Sequence, residues 1–546
     1  MLRSLAAVAG LSVFWGLTAA ASAQESLAAR IDAQIAAKAG GPLAARSTDA
    51  EFVRRAYLDF AGRIPSATEG REFVADASAD KRSKLVSRLL ESPEYAHRMS
   101  QAFHVMLMER LGDDATWEAY LRASFAANKP WDQLAREILN PDADNEATRP
   151  AGHFLSKRLE NYGQNAIDFP GLTRDVGRLF LGVDLQCAQC HNHPLIDDYK
   201  QHDFQGLFVV YSNLTRRTDV KFPAVSEKAL LKKLEFQSVF TSEKGATGPR
   251  MPFGMEFELV TFKPGEEYSI PPDKKANKPG KLKFSPLQVI AENLVKSDNH
   301  YFARNAVNRL WFLMMGRGLY HPLDLDHSKN LASHPELLDL LAQEFVSHQF
   351  NIKWFLQELA ASETYQRSGV LPEGVVDPDP ARFTVAIERP LSAEQMLRSM
   401  LEATGERSRL EPPTPGDKPA AVTIEPPLPK YEDLAKRVTV AFASTPRDPE
   451  IEFAPTLKGA LFVMNSEPFL SLLKKRSGNL VDRCVAMSEA EKVADELYQS
   501  ILARPPVESE RAEVAAYLAS HAADREKAIG QLAWALLAST EFCTNH

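Results

Sequence analysis

Apolar residues recur at helical spacing over most of the chain, and where that spacing stops the texture changes in kind. Between residues 49 and 110, Phe52, Ala56 and Phe60, then Leu85, Leu89 and Leu90, repeat every three or four positions among charged neighbours. That is the pattern of one buried helix face. Gly62-Arg63-Ile64-Pro65-Ser66 interrupts it, which predicts a helical hairpin. A second helical run, 168–183, leads directly into Cys187. From about 215 to 283 short aromatic or β-branched runs such as Phe257-Glu258-Leu259-Val260-Thr261-Phe262 alternate with turns like Pro279-Gly280-Lys281, predicting a small β-rich insert. Helical periodicity resumes at Pro286 and continues to the end. The predicted fold class is therefore mainly α, with helical hairpin repeats at both ends and a small β-rich insert in the middle. The expected division is 24–214, 215–285 and 286–546, with a proline-rich loop over 412–429.

The two ends of the chain repeat each other. Residues 57–74, YLDFAGRIPSATEGREFV, align without gaps on residues 498–515, YQSILARPPVESERAEVA; LLESPEY at 89–95 follows the first and LLASTEF at 536–542 the second. Each copy predicts a helix, a turn carrying Arg63 or Arg504, a second helix, and a Ser-x-Glu-aromatic stop. Residues 359–365 echo that stop. Nothing in the repeat demands chemistry, so it is read as scaffold.

Composition narrows the class. Of 546 residues 44% are hydrophobic and 25% charged, an ordinary globular balance long enough for several cores. A net charge of −8 lacks the basic footprint of a general nucleic-acid binder. Residues 1–23 carry Arg3, an apolar stretch and Ala21-Ser22-Ala23 before Gln24, the signature of a secretory signal peptide. No later window is apolar enough to span a membrane. A periplasmic or secreted protein without an integral span is expected. Four cysteines are too few for a disulfide scaffold, although Cys484 and Cys543 could pair after export.

The strongest chemical motif is Cys187-Ala188-Gln189-Cys190-His191. Its spacing suits covalent c-type haem: two thiols one turn apart reach the vinyl groups, and the adjacent imidazole becomes an axial iron ligand. Two other readings use the same atoms. Cys187, Cys190, His191 and His193 could hold zinc or iron, or the cysteines could close a small disulfide. A six-coordinate haem needs a distal ligand. His202, Met251 and Met255 are available, and Met251, in Gly248-Pro249-Arg250-Met251-Pro252-Phe253, is the chosen candidate. A second polar cluster is Asp324, Asp326, His327 and His334. It offers a weak general acid–base or metal site. Against it stand Ser333 and Glu336 as an expected capping box for the next helix, and Arg309 as a clamp on Asp324 or Asp326.

Residues 181–194, LGVDLQCAQCHNHP, with Tyr199 and Asp203-Phe204, resemble the planctomycete-type cytochrome C-like domain family, as do residues 49–59 and Asp80-Lys81-Arg82. Residues 301–311, Gly316-Arg317-Gly318, residues 333–339 and residues 389–395 resemble its usual C-terminal companion, a domain of unknown function. The resemblance implies a haem-binding protein but no substrate. Many relatives carry a further haem motif; this chain has one. Three functions follow as expectations. One is an exported c-type haem protein with a redox or electron-transfer role. Another is a non-haem scaffold or binding protein with a structural Cys/His metal site, and the third an enzyme using the Asp/His loop, with hydrolysis of an extracellular polymer as one such reaction. The redox or scaffold partner is unknown.

Overall fold

In the computed structural model, the described residues are 25–546 apart from 162, 221–222, 261, 412–426, 448–458, 460–461 and 463–465. The expected signal peptide and most of the proline-rich loop lie outside them. The described chain is mainly α. Its strands form only two-stranded antiparallel pairs: Leu214–Arg216 with Val225–Glu227, Leu234–Gln237 with Lys244–Thr247, Tyr268–Ile270 with Lys281–Leu282, and Arg389–Pro390 with Thr544–Asn545. Three of these pairs make up the central insert. Among the described residues no helix is long and apolar enough to cross a membrane.

Local chemistry sets the helix ends. Thr48, Ser66 and Ser392 each open a helix through a capping box, closed by Glu51, Glu69 and Gln395 respectively, so two otherwise unpaired amides are satisfied at each start. Ser92 and Ser539 cap the two Ser-x-Glu-aromatic stops and Ser362 their Ser-Glu-Thr-Tyr echo, each accepting from the amide three residues on, in Tyr95, Phe542 and Tyr365. All three aromatic rings are buried.

Packing joins sequence segments that lie far apart. One core collects apolar side chains from residues 27–225 together with residues 287–383. The other is built from residues 391–542, joined by Leu58 and Ile64. The helix Asp49–Phe60 serves both, with Phe52, Val53 and Phe60 facing the first core and Leu58 the second. Helices Pro286–Leu294, His300–Met315, Pro335–Ser347 and Ile352–Ala361, expected with the C-terminal unit, thus complete the N-terminal core.

Two local expectations are corrected. Residues 257–260 form no strand. The Phe257 amide instead donates to the Pro249 carbonyl at 2.8 Å, and Phe257 packs against the first core, so tertiary contact overrides its β propensity. The helix Pro335–Ser347 has His334 at its N-cap without a side-chain cap bond. Pro335 at the first position leaves no amide there to satisfy. Ser333 turns to His334 Nδ1 at 3.0 Å and Glu336 pairs with Lys38 at 2.8 Å, so the expected box does not form.

Candidate functional site

The helix Phe169–Val176 starts where Asp168 accepts from the Gly171 amide, and it runs into a widened turn, Gly177–Leu181. Gly182 ends that turn at φ +73, where a Cβ would stand 2.4 Å from the Tyr320 hydroxyl. Only glycine fits. Its carbonyl accepts from the Asp326 amide at 2.8 Å, and Val183 bridges Leu325. The chain then enters a 3-10 turn, Cys187–Gln189, with Cys190 closing it.

The two residues between the cysteines anchor this turn. Ala188 is fully buried in the first core. Gln189 is gripped from two sides: Arg174 donates to its side-chain oxygen and Gln205 to its carbonyl, both at 2.8 Å. Because side chains three apart eclipse in a 3-10 turn, Cys187 and Cys190 face outward together. Both are exposed and unbridged.

His191 and His193 hold opposite hydrogen-bonding states. His191 Nδ1 lies 2.6 Å from the Asn192 carbonyl. A carbonyl only accepts, so Nδ1 carries the proton and Nε2 keeps its lone pair. His193 Nδ1 accepts from the amides of Leu195, at 3.2 Å, and Ile196, at 2.9 Å. Its proton therefore sits on Nε2, and the ring serves to cap the turn. Of the two, His191 is the ring prepared to ligate. Its ring packs at a tilt against Phe240, ring centroids 4.4 Å apart, and the neighbouring Val239 amide donates to the Cys190 carbonyl at 3.1 Å. Val239 is 65% exposed and Phe240 74% exposed, which leaves an apolar surface beside the two thiols.

The Asp/His loop lies next to this turn, with Tyr199 between them. The Tyr199 ring meets His193 on one side and His327 on another, at 6.1 and 5.5 Å, and its hydroxyl donates to the Asp326 carbonyl. The carboxylates of the loop are committed elsewhere. Asp324 pairs with Arg178 at 2.9 Å and with Arg309, and Arg178 also forks onto Glu109 at 2.6 and 2.7 Å. Asp326 pairs with Arg304 at 3.2 Å. His327 Nδ1 accepts from the Lys329 amide at 3.1 Å. His334 is buried, which pushes its ring down to about 4, with Lys38 acting in the same direction. The loop is a set of ion-pair clamps, with Arg309 acting on Asp324.

Met251 belongs to the first core and is only 9% exposed, in a turn closed by the Gly254 amide on its own carbonyl. Met255 stands in solvent, and His202 lies 3.4 Å from the buried carboxylate of Asp203. Cys484 and Cys543 are unbridged; burial pushes their thiols up to about 12 and about 11. Among the described residues, no three donors of the Cys/His loop converge as a metal cage would require. The triad that does converge, within 4.8 Å, is His104, Asp113 and Glu118, which sequence spacing did not single out. Trp117 donates to His104 Nδ1 at 3.1 Å, leaving the ring proton on Nε2 toward Asp113. This is a hydrogen-bond relay in which the His104 ring has no lone pair left for an ion.

The residues present fit a covalently held haem. Two exposed thiols stand at the ends of one turn, the Asn192 carbonyl holds the Nδ1 proton of the following imidazole so that Nε2 keeps its lone pair, and apolar side chains flank them. Residues 29–216 match the PSCyt2 model, described as a protein of unknown function (DUF1549), and residues 288–518 match PSD1, a protein of unknown function (DUF1553). The chain joins these two family domains. No curated protein and no solved structure matches it. The PSCyt2 segment carries the Cys/His turn and the PSD1 segment the Asp/His loop, so the Tyr199–Asp326 and Gly182–Asp326 hydrogen bonds tie the families together beside the candidate site.

Proposed function

We propose that the protein is an exported c-type haem protein with a redox or electron-transfer role. Cys187 and Cys190 would be the covalent anchors and His191 the axial ligand. The observation that carries this reading is the pairing of two outward thiols with a His191 whose Nδ1 proton is held by the Asn192 carbonyl. Bound there, haem supplies one-electron chemistry at an iron held by imidazole. The protein's part is to fix the turn through Ala188 and Gln189, to orient His191, and to offer Phe240 and Val239 as an apolar contact. Because Cys187 and Cys190 are exposed, a haem held by them would be within reach of a redox partner. Attachment takes place outside the cytoplasm, which agrees with reading residues 1–23 as a signal.

Expression with cytochrome-maturation machinery tests this. Haem staining of a denaturing gel is expected for the wild type, and none for Cys187→Ser/Cys190→Ser. An unstained wild type holding stoichiometric zinc would instead favour the non-haem scaffold.

A further inference from the structure

Helices Pro93–Met108 and His300–Met315, one from each family segment, border a cavity of about 160 Å³. Its walls are mostly apolar, with Phe103, Met106, Trp131, Leu310 and Leu323 among them. A dry apolar cavity of about 150 Å³ holds one benzene ring, so this space suits a ligand body of that size. Met106, Phe312 and Leu313 on the lining are only half-buried, which gives a way in from solvent.

Most charged groups on the wall are already paired. Arg178 forks onto Glu109, Arg110 onto Glu394, and Arg309 is held by Asp324. Arg98 differs. It is 6% exposed, makes no hydrogen bond or ion pair with any described residue, and its Nε is enclosed without a partner. The carboxylates whose charge it feels are Asp59 and Glu394. Asp59 is occupied by Tyr365, Arg389 and Asn545, at 2.8 to 2.9 Å, and Glu394 by Arg110. Burial lowers the Arg98 guanidinium to about 10, so it stays charged at neutral pH. One turn further on, Gln101 also lines the cavity, and its side-chain NH2 is a donor an anion can use. A buried charge left alone is costly, and such groups at a cavity wall mark where a ligand supplies the missing partner.

We infer that this cavity binds a small monocarboxylate whose apolar body is about the size of one aromatic ring, its carboxylate on Arg98 and beside the Gln101 amide. One unpaired guanidinium, with Glu109 and Glu394 nearby, matches a single negative charge; a phosphate dianion would meet too little positive charge. The site does not depend on haem.

Calorimetric titration of the full chain with benzoate, toluene and inorganic phosphate tests the inference. Benzoate is expected to bind once per chain and to raise the melting temperature, with toluene and phosphate far weaker. Arg98→Gln should weaken benzoate by about 30-fold, the value of a charge-assisted bond. Its ligand-free melting temperature should hold or rise, because an unpaired buried charge is gone. Leu310→Trp, which fills the cavity and leaves Arg98 in place, should also abolish binding, and it keeps the test open if the first variant does not fold. A wild type that binds no benzoate, one that binds toluene or phosphate equally well, or benzoate affinity unchanged in either variant overturns the inference. Repeating the titration on Cys187→Ser/Cys190→Ser separates this result from the haem reading.

Discussion

Arg63 and Arg504 make the same contacts, atom for atom, in two copies of one hairpin 441 positions apart. Each stacks over the tyrosine six residues earlier, Tyr57 at 5.0 Å and Tyr498 at 5.3 Å. Each forks its two Nη nitrogens onto the glutamate six residues later, Glu69 or Glu510, and its Nε and Nη2 onto the glutamate of the Ser-x-Glu-aromatic stop, Glu94 or Glu541. One guanidinium thus locks the turn, the second helix start and the next helix start together.

The two clamps differ in burial, and the cost of removing them should differ accordingly. The Arg63 side chain is 4% exposed and that of Arg504 is 27% exposed. Arg63→Ala is expected to cost about 2–3 kcal/mol, since the charge-assisted bonds of a buried guanidinium to the half-buried Glu69 and Glu94 are lost. Arg504→Ala should cost about 1 kcal/mol. Urea midpoints of the two variants against the wild type check the order; an equal loss would contradict it.

The same clamp predicts an acid response. Burial alone would push the Glu69 carboxyl up, but the Arg63 guanidinium and the Ser66 cap override it and hold it at about 2, against an ordinary 4.5. A lowered folded value means the stabilisation is complete above pH 4.5 and is lost as pH falls toward 2. Arg63→Gln should flatten the wild-type stability curve in that window, as read from thermal melts at stepped pH.

Histidines act over a higher window. Burial, with Arg398 and Arg122 beside it, lowers His97 to about 3, and burial with Lys38 lowers His334 to about 4. The unfolded chain takes up these protons below pH 6.5 while the folded chain does not, so stability is full above pH 6.5 and falls as pH drops toward 4. His97→Gln should remove part of that loss, and an unchanged slope between pH 6.5 and 4 would contradict it.

Thiol reactivity should separate the four cysteines cleanly. Cys187 and Cys190 are exposed, whereas Cys484 and Cys543 have thiols raised by burial and are therefore slow to form thiolate. Protein made without haem-attachment machinery is expected to take up two maleimides when native and four when denatured. Rapid labelling of all four in the native state would contradict the packing of the second core.

Asp324 is expected to act on folding rather than on chemistry. It balances Arg178 and Arg309 where the family segments meet. Asp324→Asn should cost about 3 kcal/mol by leaving the buried Arg309 guanidinium without its carboxylate, while Arg178 keeps Glu109 and Asp175; a lowered urea midpoint would show it.

Legibility in the sequence followed how local each cause is. The hairpin repeat was readable because Tyr, Arg and Glu recur at fixed offsets, and the Ser caps because a cap acts over three residues. That the two thiols lie one turn apart was implied by their spacing, but their exposure was not. The split between His191 and His193 was not, because it depends on which carbonyl or amide each Nδ1 meets. The sharing of the first core by residues 27–225 and 287–383 was equally hidden, as was the Arg98 cavity between helices some 200 positions apart. Met251 looked like a loop ligand because its glycine and proline neighbours describe the turn but not which way the side chain packs.

The intact mass of the protein, produced and exported with haem-attachment enzymes present, tests the central claim most directly. The account predicts the polypeptide plus one haem, with the addition lost in Cys187→Ser/Cys190→Ser and the polypeptide otherwise folded. A wild-type mass equal to that of the amino acids alone, from cells that mature a control cytochrome, would contradict it.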